Sequence, residues 1–143
     1  MWLDLLFFLP MAVLCNTAFP ISFDPVLIAY ASTHSLHAGY VFAIIGSLCA
    51  GLAGVADAKL LGCAQGHVSE RWLKWLPYWH GRRFYVLTFF FAVMPLPFSV
   101  VRLAVLRHQP QIVPYVAAVI LGCLPRYILT VVFWQFCVRL FET

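Results

Sequence analysis

Few residues in this chain can do chemistry, and the charged ones among them sit in apolar surroundings. Asp24 lies in Phe19-Pro20-Ile21-Ser22-Phe23-Asp24-Pro25, bracketed by prolines. Asp57 and Arg126 fall inside the two longest apolar stretches, and Arg102 falls in a short one. A carboxylate so placed can carry a proton, and a guanidinium can hold an oxyanion with two parallel hydrogen bonds. Each also has a purely structural role open to it. Asp24 precedes a helical stretch and can cap it. Asp57 and Arg126 can pair with each other, which is the preferred reading, or with the other two charges. Arg102 can face Asp24, hold a phosphate, or extend its charge to an interface.

The remaining candidates are weaker. His34 and His37 are three apart, which on a helix would give one face, but two histidines make a poor metal site. They read as an interfacial turn. Cys15, Cys49, Cys63, Cys123 and Cys137 are odd in number, form no CxxC and lie among apolar residues. They read as small buried hydrophobes. No GxSxG, HExxH, P-loop or carboxylate pair occurs, so no catalytic residue, metal or cofactor is expected.

The elements that must position these charges follow from composition. Of 143 residues, 64% are hydrophobic and 10% charged, against about 25% charged in soluble domains. So few charges cannot cover the surface of a short soluble domain, and a bilayer as solvent removes the difficulty. No basic run suggests nucleic acid. The N-terminus carries Asp4 where a signal peptide carries basic residues, so it is read as retained.

Hydrophobic segments are broken by prolines in a recurring way. An apolar stretch from about 1 to 18 ends at Pro20 and Pro25, and a short one from Val26 to Thr33 follows, with Ser35 to Gly39 as a turn. Residues 40–63 are long enough to cross, with glycines and alanines that let helices approach closely. Residues 65–81 mix Trp72, Trp75 and Trp79 with Arg71 and Lys74, as interfacial segments do. Phe84 to Met94 is again short and ends at Pro95 and Pro97. Ser99 to Leu106, a turn at 107–110 and a crossing stretch from Ile112 to Phe136 complete the chain.

The two parts match at an offset of 75: Pro20, Phe23, Val26, Ala29, Tyr40, Val41, Ala43 and Ile45 equal Pro95, Phe98, Val101, Ala104, Tyr115, Val116, Ala118 and Ile120. Duplication is the economical account. The expected fold is an all-α membrane protein of one domain, built from two inverted repeats (1–64 and 82–140) joined by an interfacial linker (65–81). Each repeat is a re-entrant helical hairpin, broken at Pro20 and Pro25 or at Pro95 and Pro97, plus one transmembrane helix. Broken helices meeting at mid-depth recur in transporters. Lys59, Arg71, Lys74, Arg82 and Arg83 lie in or near the linker, with Arg107 and Arg139 assigned to the other face, so the linker is expected in the cytoplasm.

The proline-rich tip at 19–27, the glycine-rich span from Gly46 to Gly62, the segment from Phe91 to Pro97 with Arg102, Tyr115 and Gly122, and Pro125-Arg126-Tyr127 together resemble the DedA family, also called the VTT or SNARE-associated Golgi protein family. The resemblance covers roughly 16–136. Asn16 stands where a glutamate is common in the family, and Phe and Ala precede Met94 where arginines are usual. The resemblance implies a flippase or scramblase, not an enzyme, moving a phospholipid or polyprenyl-phosphate headgroup, in a bacterial inner membrane. Asp24, Arg102, Asp57 and Arg126 would then bind substrate or proton. Membrane lipids are the implied partners, and the small size invites a homo-oligomer. The alternative is a structural or assembly factor of the same fold that moves nothing. An intramembrane enzyme acting on lipids is a more distant third.

Overall fold

The structure, a computed structural model, describes residues 2–16, 23–76, 79, 81–94 and 99–141. Pro20, Pro95 and Pro97 lie outside these residues. The described chain is helical, without strands: α1 (Trp2–Cys15), α2 (Asp24–Thr33), α3 (Leu36–Ala64), a 3-10 turn (Gln65–His67), α4 (Glu70–Trp75), α5 (Arg82–Val93), α6 (Ser99–His108) and α7 (Ile112–Phe141).

Two helices, α3 and α7, are long and apolar enough to cross a membrane. At about 1.5 Å per residue, their 29 and 30 residues reach past the ~30 Å hydrocarbon core. The other helices are too short. α2 opens with Pro25 in its first turn, where a missing amide costs nothing. α5 stops at Met94, whose extended backbone (φ −79°, ψ 148°) is what a following proline imposes.

The turn expected from Ser35 to Gly39 is shorter than the polar residues suggested, because α3 already begins at Leu36. The Ser35 hydroxyl accepts from the Ala38 amide at 3.4 Å, so Ser35 serves as the start of the helix rather than the middle of a loop. Gly39 belongs to the helix, its amide donating to Ser35 O at 3.0 Å, and a larger residue there is excluded because a Cβ would fall 2.8 Å from a methyl of Val131. The turn after α6 likewise falls at 109–111, since Arg107 and His108 complete that helix. Gln109 terminates it with φ +43° while its amide donates to Val105 O at 3.1 Å.

α3 and α7 are antiparallel. Gly39 meets Val131, Gly46 approaches Tyr127, Gly51 meets Ile120 and Gly54 approaches Tyr115. The short helices pack on this pair at different levels. α2 begins beside α7 at Arg126 and ends where Gln135 Nε2 donates to Ala31 O at 3.2 Å, meeting one of the carbonyls a helix end leaves unpaired. Phe8 of α1 packs on Phe23, Tyr30 and Phe42. α5 starts with Phe84 against Tyr115 and passes Gly122 at Phe89 and Ala92. α6 ends with His108 back against Phe84.

The two long helices turn apolar side chains outward as well as inward. On α3, Gly39, Ala43, Gly46, Ser47, Ala50, Gly54 and Asp57 face inward, while Val41, Ile44, Leu48 and Leu52 face outward. α7 turns Leu121, Leu129, Phe133 and Phe136 outward. Large apolar side chains also fill the interior, Phe8, Leu27, Phe42 and Phe84 among them, but their abundance on the outer faces of α3 and α7 suits hydrocarbon surroundings.

Candidate functional site

Two acid–arginine pairs stand inside this bundle, and neither is the pair preferred from sequence. Arg102 Nη1 of α6 donates to Asp57 Oδ2 of α3 at 2.8 Å, with side-chain exposures of 2% and 5%. Arg126 of α7 grips both carboxylate oxygens of Asp24 at the start of α2: Nε donates to Oδ1 at 3.2 Å and Nη2 donates to Oδ2. Asp57 therefore does not pair with Arg126, nor Arg102 with Asp24. Each long helix offers its charge to a short helix of the other half of the chain. The structure pairs each long-helix charge with a charge of a short helix, which corresponds to the second possibility for Asp57 and Arg126.

The two pairs differ in access. The Asp57–Arg102 pair is sealed. Tyr115 of α7 lies within its electrostatic reach, and the Tyr115 hydroxyl is buried without a hydrogen-bond partner among the described residues. The Asp24–Arg126 pair is partly open, with side-chain exposures of 21% and 17%. Arg126 Nη1 also reaches Met94 O at 3.4 Å, the carbonyl where α5 ends. The ends of α1, α2 and α5 thus converge near one level of α7, close to its midpoint.

Around that level lies a polar strand of contacts that the sequence did not single out. Tyr127 Oη donates to Asn16 Oδ1 at 2.8 Å, and Asn16 Nδ2 donates to Ala12 O at 2.8 Å. Asn16 ends α1 and is 7% exposed. The only sequence signal was Asn16 and Tyr127 as polar groups in apolar runs, 111 residues apart. Tyr127→Phe should lower stability by about 1 kcal/mol, since it leaves a buried amide oxygen unpaired. Thermal unfolding in detergent would read this as a lower midpoint.

His34 and His37 do not share a helical face. His34 follows α2, with Nδ1 at 2.9 Å from Tyr30 O, and His37 is an exposed residue of α3. Arg107 is also placed differently from the sequence expectation. It is not on the face opposite the linker: Arg107 Nη1 donates to Leu76 O at 2.6 Å and to Lys74 O at 3.4 Å. Its neighbour His108 accepts from the Trp79 amide at 2.6 Å through Nε2. The reason is geometric, because α6 returns to the end from which α5 set out. Arg139 remains at the far end of α7. Trp72 and Trp75 of the short helix α4 are exposed.

These charges can hold an anion or relay a proton once a pair opens, and the open pair is the accessible one. No family model matches the chain, and neither a curated protein nor a solved structure gives a match.

Proposed function

We propose that the chain is a membrane lipid transporter, a flippase or scramblase of the DedA/VTT kind, that passes a phosphate-bearing headgroup between two opposed re-entrant hairpins. The observation that carries the reading is the crossed arrangement of the two acid–arginine pairs within the helix bundle, which the membrane reading places at bilayer depth. A charge there costs about 2.5–3.5 kcal/mol on insertion scales, and such residues ordinarily mark a transport path or a proton relay. An arginine that already holds a carboxylate bidentately has the geometry to hold a phosphate in its place.

The inverted repeat is supported by element positions. Shifting α2 by 75 residues gives 99–108, the bounds of α6, and shifting α3 gives 111–139 against 112–141 for α7. α1 and α2 pack along one end of the α3–α7 pair, and α5 and α6 along the other. Such half-length elements at membrane depth fit where protein covers their ends. With Arg107 at the linker end, Lys59, Arg71, Lys74, Arg82, Arg83 and Arg107 gather there, against Arg139 at the other. That asymmetry favours a cytoplasmic linker.

A non-transporting assembly factor of the same fold is the second reading, favoured by the sealed Asp57–Arg102 pair, which resembles a structural tie. Liposomes with fluorescent phospholipids separate the two. Asp24→Asn and Arg126→Gln should slow translocation at least about tenfold, as expected when a charged hydrogen bond worth ~1.5–3 kcal/mol is lost. Arg102→Gln is the companion variant. Equal rates for wild type and all three variants would leave the assembly reading.

A further inference from the structure

Outside the buried pairs, the linker end of the bundle holds a cavity of about 460 Å³. Arg82, Tyr85, His108, Gln109 and Gln111 are among the side chains lining it, and among the described residues no acidic one lines it. Arg82 is exposed and has neither an ion-pair nor a hydrogen-bond partner among the described residues. The Tyr85 hydroxyl accepts from the Gln111 amide at 3.1 Å, so its own proton remains to be donated. Gln109 is held at φ +43°, a backbone state that glycine or asparagine usually fills, and its backbone shapes the rim. The starts of α5 and α7 border the same space, as does the C-terminal end of α6, so the helix ends largely offset one another and the positive charge comes from Arg82.

From the mouth of this cavity α5 runs toward mid-depth with Val86 and Phe90 exposed. A ligand that fits both parts has an anionic head and a hydrocarbon tail. We propose that this cavity seats the phosphate of an anionic phospholipid, with Arg82 and Tyr85 donating to its oxygens and the acyl chains lying along Val86 and Phe90. The site is separate from the Asp24–Arg126 level and holds lipid at the linker-side leaflet whether or not translocation follows. It rests only on the membrane reading of the chain.

Native mass spectrometry of the full chain in detergent, titrated with phosphatidylglycerol, tests the proposal. Arg82→Gln should weaken lipid retention about tenfold, the scale of one charge-assisted hydrogen bond. Tyr85→Phe should weaken it about threefold, the scale of a neutral one. Arg139→Gln, at the other end of α7, should leave retention unchanged. Inorganic phosphate at millimolar concentration should not displace the lipid. Wild-type retention in Arg82→Gln, an equal loss in Arg139→Gln, or displacement by inorganic phosphate would each overturn the site. A chain that binds no lipid and stays dispersed without detergent would instead overturn the membrane reading itself.

Discussion

Replacing Asp57 by asparagine is expected to destabilise the protein by about 3–5 kcal/mol, the cost of leaving a buried partner charge uncompensated. Arg102 is 2% exposed and cannot reach water without α6 leaving α3. The penalty is therefore one of desolvation, not of a lost surface contact. Arg102→Met alone should cost a similar amount by stranding the carboxylate. Asp57→Leu combined with Arg102→Met removes both charges and should recover most of the loss, because apolar replacements of a buried pair are often neutral or better. Thermal unfolding in detergent, read by size-exclusion melting, checks all three. A double variant no better than either single one would show that the pair does more than neutralise itself, with Tyr115 as the nearby group to examine.

The second large effect concerns Gly122. A Cβ built there falls 2.5 Å from Ala92 Cβ and 2.7 Å from the carbonyl oxygen of Phe89. Backbone and a methyl fixed to backbone cannot rotate away, so α5 must back off α7 as a unit. Gly122→Val should cost at least the ~1–3 kcal/mol of an overpacked core and lower the melting midpoint accordingly. Gly62→Val offers the contrast. Nothing lies within 4 Å of that Cβ position, and the change should fall within about 0.5 kcal/mol, as surface changes do. Equal losses at the two positions would mean that the cost is the restriction of a β-branched side chain in a helix and not contact.

The helices were legible in the sequence because prolines, turn residues and apolar length are local signals. α2 and α6 stand where Pro25 and the repeat offset placed them, and α3 and α7 contain the stretches read as long enough to cross. The start of α3 was misjudged because Ser35 to Gly39 reads as a turn by composition, whereas Val131, far along the chain, accepts a glycine inside a helix. The candidate charges were legible as costly residues in apolar runs. Their partners were not. Asp57 and Arg126 lie on antiparallel helices at different levels, and only the packed bundle shows that each meets a charge of a short helix instead. Arg107 was misplaced for a related reason: a helix that doubles back returns its last residues to its starting side. Asn16 and Tyr127 were legible only as polar groups in apolar runs, and nothing local pairs residues 111 apart.

The signs of the buried charges have a consequence for assembly. Both acids of the two pairs, Asp24 and Asp57, belong to residues 1–64, and both arginines, Arg102 and Arg126, belong to residues 82–140. Two copies of the first segment would bury four carboxylates, and two copies of the second would bury four guanidiniums. Neither could close on itself. The interior charges therefore balance only when residues 1–64 pack against residues 82–140, and each segment neutralises the other.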